Sequence, residues 1–154
     1  MKELLFDFSR TLLFPKNEAD PLTLNQKHKQ LSQEDPDYPF FEHFVLNQVL
    51  LDFIHQIKDQ IPANIFTTGY IQETPALQPY LKDFVKIYSA ALLGLSKQDP
   101  SSYTWIAKDL GLPPEEILFV DDSERNVEAA KKAGMQVIQY KSNGEVIEEI
   151  DRVF

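Results

Sequence analysis

The chain contains no cysteine, which excludes disulfides, thiolate nucleophiles and Cys-ligated zinc and points to a reducing, cytoplasmic setting. No apolar run approaches the roughly 18 residues needed to cross a bilayer. The opening MKELLFDFSR puts acidic and polar residues where a secretory leader needs an apolar stretch. The expectation is a soluble protein that keeps its first residues and has no membrane partner. Positive charge is also scarce. Fifteen Lys and Arg stand against 24 Asp and Glu, a formal net charge of -9, so a ligand held mainly through a phosphate backbone is disfavoured and nucleic acid is not an expected partner. Internal repeats and low-complexity tracts are absent. At 154 residues the chain has room for one ordinary globular domain, spanning 1–154, and not for two.

What is present is a set of five short apolar runs: ELLFDF at 3–8, NIFTT at 64–68, FVKIYS at 84–89, EILFV at 116–120 and QVIQY at 136–140. Runs this short and this continuous suit strands buried on both faces. Helical patterns separate the later ones. Tyr103, Ile106, Ala107 and Leu110 repeat at three and four, and Val127, Ala130, Lys131 and Gly134 follow Ser123 as an N-cap. The stretch GEVIEEIDRVF reads as a terminal helix with Val146, Ile147, Ile150 and Val153 inward. Alternating strand and helix predict a three-layer, Rossmann-like α/β fold, a parallel sheet of about five strands with helices on both faces.

Residues 14–42 depart from this rhythm, with several prolines and few aliphatics, and read as an insertion outside the core. Tyr38, Phe40, Phe41 and Phe44 close it, either sealing it onto the core or forming an aromatic wall beside a site. A helix follows with Leu46, Leu50, Phe53, Ile54 and Ile57 on one face. Residues 70–83 predict a loop with one short helix. Trp105 reads as core. His28, His43 and His55 lack metal-ligand spacing and suit surface or core-edge roles.

In an open parallel sheet, ligands bind beyond the carboxyl ends of the strands, where strand order reverses. The first run ends in Asp7, with Ser9, Arg10 and Thr11 in the turn; the second ends in Thr67, Thr68 and Gly69; the fourth ends in Asp121 and Asp122. A carboxylate directly after a buried apolar run is costly to desolvate unless a cation or hydrogen bonds compensate it. Each alone is readable as a helix N-cap. Together, and with a lone lysine in the small-residue loop GLSKQDP, they ask for more than capping. Asp7, Asp121 and Asp122 against Lys97 leave about two negative charges, which one divalent cation cancels, and an all-oxygen set suits Mg²⁺.

From Lys2 to about Gly134 the chain resembles the haloacid dehalogenase-like (HAD) hydrolases. LLFDFSRTL is similar to the family's first motif, Asp-x-Asp-Gly-Thr after an apolar strand; IFTTG to its second; GLSKQDP to its third; and EEILFVDDSERNVEAAKKAGM to its fourth. Four motifs in the family's order are a specific signal. The resemblance implies a Mg²⁺-dependent phosphohydrolase acting on a small phosphorylated molecule. Asp7 would be the nucleophile that forms an aspartyl-phosphate. Asp7, Asp122 and the backbone carbonyl of Ser9 would hold the metal, with Asp121 beside them. Thr67, Thr68 and Lys97 would hold the phosphoryl oxygens.

Two positions depart from the family pattern. Ser9 stands where the family's phosphatases carry a second Asp, their general acid/base, and Arg10 stands where they carry Gly. Arg10 is either a solvated surface residue or a further phosphate-binding group. The insertion is also short for a family cap, which implies a cap remnant and an open pocket. A serine hydroxyl protonates a leaving group poorly, and losing a general acid/base costs on the order of 10² to 10⁴ in rate. Two functions follow: a phosphohydrolase favouring good leaving groups such as acyl or aryl phosphates, or a catalytically impaired HAD-fold module that binds a metal and an anionic ligand or a protein. A dehalogenase fits less well, because that branch completes its site with a full cap and needs no Mg²⁺.

Overall fold

A computed structural model describes residues 1–154. The chain begins with β1 (Glu3–Phe6), β2 (Leu13–Pro15), α1 (Leu24–Glu34), β3 (Phe44–Leu46), α2 (Gln48–Ile57) and β4 (Ala63–Thr67). It continues through α3 (Gln78–Leu81), β5 (Ile87–Ser89), α4 (Ala90–Leu93), α5 (Pro100–Leu110) and β6 (Ile117–Asp121), and ends with α6 (Glu124–Lys132), β7 (Gln136–Gln139) and α7 (Asn143–Val153). All five apolar runs contribute a strand to one parallel sheet, in the order β5-β4-β1-β6-β7. β1 is central. The chain first builds outward through β4 and β5, then returns to the other side of β1 for β6 and β7, so strand order reverses between β1 and β6.

The sheet is buried on both faces, which is why its runs are apolar without alternation. Leu4, Phe6, Ile65, Leu118 and Val120 face one cluster of 21 buried residues, covered by α1, α2 and α7. Leu5, Phe66, Ile117 and Phe119 face a second cluster of 12, covered by α5 and α6. The inward residues of α7 are as its spacing predicts, with Val146 and Ile150 buried and Ile147 and Val153 packed against the first cluster.

Three expectations need correction. Residues 14–42 are not wholly outside the core: Pro15 pairs with Phe44 in a two-stranded antiparallel sheet of β2 with β3, and Leu24 and Phe40 are buried. Helix α1 buries only Leu24, and a cap holds its start. Thr23 Oγ1 accepts from the Gln26 amide while the Gln26 side chain accepts from the Thr23 amide, a capping box that the T-x-x-Q spacing contains. Leu46 belongs to β3 and not to the helical face, and Leu51 is buried in its place. Trp105 is 42% exposed, its edge or face set against Tyr88 at 6.1 Å, because the buried face of α5 is taken by Tyr103, Ile106 and Ala107. The segment 70–83 holds two 3₁₀ turns before the short helix α3. The four aromatics seal the insertion onto the core: Phe40 stacks on Phe44 at 4.7 Å, and Phe41 meets Phe40 at 5.2 Å.

One polar knot fastens the turn after β1 to the C-terminal helix. Asn47, the N-cap of α2, donates through Nδ2 to the Thr11 carbonyl at 2.9 Å and to Asn143 Oδ1 at 2.7 Å, and its Oδ1 accepts from Asn143 Nδ2 at 2.9 Å. The same oxygen caps the Leu50 amide at 3.3 Å. Asn47→Ala removes the cap and orphans the Thr11 carbonyl and the Asn143 amide, a loss of about 2–3 kcal/mol. Asn143→Ala leaves the cap and the Thr11 bond in place and should cost less. Urea unfolding of the two variants checks the ranking, and equal losses would contradict it.

Candidate active site

The parallel register sets the ends of β1 and β6 side by side, with Phe6 opposite Val120. The next residue of each strand is therefore an aspartate, Asp7 and Asp121, both buried. Lys97 reaches them from the loop between α4 and α5. Its ammonium donates to Asp7 Oδ1 and, at 3.0 Å, to Asp121 Oδ2. The lysine is itself 6% exposed and passes over the rings of Phe66 and Phe119, 5.5 and 5.9 Å from their centroids. Its loop is braced by α5: the Tyr103 hydroxyl donates to the Lys97 carbonyl at 2.6 Å, and Ser102 Oγ accepts from the Ser96 amide at 3.0 Å.

Both oxygens of Asp121 accept from protein donors. Oδ1 accepts from the Ser123 amide at 2.8 Å, and Oδ2 accepts from Asn126 Nδ2 at 2.9 Å as well as from Lys97. Asp122 is half-buried and turns to the cleft. Asp7 Oδ2 accepts from Thr11 Oγ1 at 3.3 Å. The three carboxylates offer oxygens within 4.8 Å of one another. This is an all-oxygen donor set, the kind that hard divalent cations such as Mg²⁺ select.

Above this cluster lies an open cleft of about 290 Å³, lined among others by Asp7, Ser9, Arg10, Thr68, Lys97 and Asp122. Thr67 is fully buried at the end of β4 and not on the lining, and its hydroxyl has no hydrogen-bond partner; Thr68 is exposed on the cleft wall. Ser9 is half-buried in the turn. Arg10 adopts φ 62, the left-handed region, and is the only non-glycine residue to do so. A side chain there costs on the order of 1–2 kcal/mol relative to the right-handed region. Its Nη1 meets Glu18 Oε2 at 3.2 Å.

Electrostatics follow from this crowding. Burial pushes the Asp7 carboxyl up to about 8, with the charges of Asp121 and Asp122 adding to the effect and Lys97 opposing it. Burial, with the Asp121 charge beside it, likewise raises Asp122 to about 6. Burial works against the charge on Lys97, but Asp7 and Asp121 outweigh it and hold the ammonium above its ordinary value. The cluster is therefore short of positive charge even with its lysine in place.

The sequence-predicted residues Asp7, Ser9, Arg10, Thr68, Lys97, Asp121 and Asp122 share this one cleft. Thr67 lies behind it. Sequence reasoning missed Tyr103, Asn126 and the cleft residues Thr23 and Asn25. Asn126 was legible as the polar residue three past the N-cap Ser123. Thr23 and Asn25 come from the segment read as an insertion, which curls back so that Asn25 Oδ1 accepts from the Ile71 amide at 3.4 Å. The histidines stay outside the site. His28 Nδ1 pairs with the Tyr38 hydroxyl at 2.6 Å and His55 Nδ1 with Asp83 at 2.7 Å.

Comparison with known proteins agrees with this geometry. Residues 5–134 match the haloacid dehalogenase-like hydrolase family. A segment of 49 residues is 55% identical to Enolase-phosphatase E1 of Aquifex aeolicus, covering 32% of this chain and 22% of that protein. The chain thus spans about a fifth of the length of this curated relative. Among solved structures, a predicted HAD-like family hydrolase from Porphyromonas gingivalis superposes with a TM-score of 0.73 at 18% identity, over 99% of this chain and 97% of that one. A HAD family enzyme from Bacteroides thetaiotaomicron, in complex with magnesium and inorganic phosphate, superposes with a TM-score of 0.68 at 16% identity, over 93% and 96%. The fold, the order of its motifs and the family match over most of its length place this chain among the haloacid dehalogenase-like hydrolases.

Proposed function

We propose that the protein is a Mg²⁺-dependent phosphohydrolase that transfers a phosphoryl group from a small molecule to Asp7 and then to water, favouring substrates with good leaving groups. The observation that carries this reading is the buried lysine shared by Asp7 and Asp121 beneath an open cleft, an arrangement still deficient in positive charge. Asp7 and Asp122 fit a divalent cation best. Both line the cleft, Asp7 with one donor on each of its oxygens and Asp122 half-buried, whereas Asp121 already accepts from Lys97, Ser123 and Asn126. The Ser9 carbonyl is the third candidate ligand, and it does not depend on the side chain. When bound, the cation supplies the charge that lets a phosphate dianion approach three carboxylates.

The chain's own groups account for the rest. An oxygen of Asp7 attacks phosphorus as the bond to the leaving oxygen breaks, giving an aspartyl-phosphate; water then attacks the same phosphorus and releases Asp7 and phosphate. Lys97 and the Thr67 hydroxyl, buried and without a partner in the protein, would stabilise the charge on the transferring oxygens. Asp121 and Thr11 orient Lys97 and Asp7. The Ser9 hydroxyl neither protonates an alkoxide nor deprotonates water well at neutral pH, which confines turnover to leaving groups that depart as stable anions.

Cation binding only to the native site adds RT ln(1 + [Mg²⁺]/Kd) to stability. At tenfold saturation this is about 1.4 kcal/mol, or a rise in melting temperature of roughly 3–5 °C over an EDTA control. Asp122→Ala should lose the rise; a midpoint that does not respond to Mg²⁺, or responds equally in the variant, would remove the metal from the proposal.

Ser9→Asp places a carboxyl group beside the leaving oxygen. It should raise hydrolysis of alkyl phosphates by an amount approaching 10² to 10⁴, and that of aryl phosphates much less. Steady-state rates on paired alkyl and aryl phosphates read this directly. A folded, Mg²⁺-loaded variant with no gain on any ester would favour instead a binding module that has left phosphoryl transfer.

A further inference from the structure

Arg10 pairs with none of the carboxylates of the buried cluster; its ion pair is with Glu18. The turn after β1 takes a left-handed conformation at this residue, φ 62, which glycine adopts freely, yet the position carries the longest cationic side chain. Arg10 lines the same cleft as Asp7, Lys97 and Asp122. It differs from them in depth: the side chains of Asp7, Lys97 and Asp121 are 7%, 6% and 0% exposed, that of Arg10 39%. The first three form the floor and Arg10 the mouth. Its one polar partner is Glu18, held through Nη1 alone and itself 67% exposed. A pair this open to water is weak. It leaves most of the guanidinium donors free, in a planar fork that matches the two oxygens of a carboxylate or phosphate.

We infer that Arg10 recognises a second anionic group, a carboxylate or a phosphate, on the part of the substrate that is not transferred, and that Glu18 occupies this place until the substrate arrives. The inference rests on the phosphohydrolase reading and narrows its substrate class to phosphorylated molecules with a further negative charge. Because the transferred group lies against the buried floor, the remainder of the substrate leaves the cleft past the mouth, where Arg10 stands.

Binding of two non-hydrolysable ligands of equal shape tests this without requiring turnover: 4-carboxybenzylphosphonate and 4-carbamoylbenzylphosphonate, titrated by calorimetry into the Mg²⁺-loaded protein. The native chain should prefer the carboxylate by roughly 3- to 10-fold, the range for a part-exposed charged hydrogen-bonded pair. Glu18→Gln removes the internal competitor and should widen the preference. Arg10→Gly, which suits the left-handed backbone, should bring it close to one, and Arg10→Lys, which keeps charge but loses the fork, should fall between. A third ligand, 1,4-xylylenediphosphonate, separates the two sources: tighter binding than the carboxylate marks a second phosphate, weaker binding a carboxylate. Equal affinity of the native chain for the first two ligands, or a preference that survives Arg10→Gly, overturns the role of Arg10 and leaves the phosphohydrolase reading standing. Failure of the native chain to bind either phosphonate overturns both.

Discussion

The site is organised around one buried ammonium group. Lys97 has exchanged water for two carboxylates and two aromatic rings, and the geometry is tolerable only because Asp7 and Asp121 both meet it. Breaking a buried pair by removing one partner commonly costs about 3–5 kcal/mol, since it strands an uncompensated charge. The positions of β1, β6 and the α4–α5 loop are therefore coupled: each delivers one member of the triad, and none is free to shift alone. The triad still falls short of neutrality, because Asp122 stands beside it with no cation of its own. In the proposed function one more hard cation would make up that deficit and, through it, the cleft would admit an anionic substrate.

The sheet makes this economical. Parallel pairing puts every strand's carboxyl end on one edge, and the reversal of strand order at β1 opens the crevice there. Loops do the rest. Tyr103 and Ser102 at the start of α5 brace the lysine loop, Ser123 and Asn126 at the start of α6 hold Asp121, and Asn47 ties the Thr11 carbonyl to α7. The cleft residues thus sit on a frame of hydrogen bonds from uncharged side chains and amides, and the only backbone strain among non-glycine residues falls at Arg10 in the turn beside them.

Most of the fold and much of the site were legible in the sequence, for identifiable physical reasons. Strands buried on both faces carry continuous apolar runs, so β1, β4 and β6 stood out. The carboxylates ending two of those runs stood out because apolar neighbours make an unpaired charge costly. The short strands β2 and β3 were missed, since three-residue strands have no periodicity to read, and α1 was missed because a capping box and not an apolar stripe holds its start. Trp105 was misplaced because its helix had already filled its inner face with Tyr103, Ile106 and Ala107. Which of the two adjacent aspartates is held by the protein's own donors could not be read from the pair Asp121–Asp122. It depends on the turn into α6, where the Ser123 amide and Asn126 capture the first and leave the second free.

The central claim is that Asp7 is a nucleophile whose second step is slow for want of a base at position 9. Acid-quenching the Mg²⁺-loaded protein during turnover of an acyl phosphate such as acetyl phosphate, followed by peptide mass spectrometry, tests it most directly. The account predicts one added phosphoryl group on the peptide that contains Asp7, localised to that carboxylate and absent after Asp7→Asn. No phosphopeptide while phosphate is still released, or a phosphoryl group on any other residue, would contradict it.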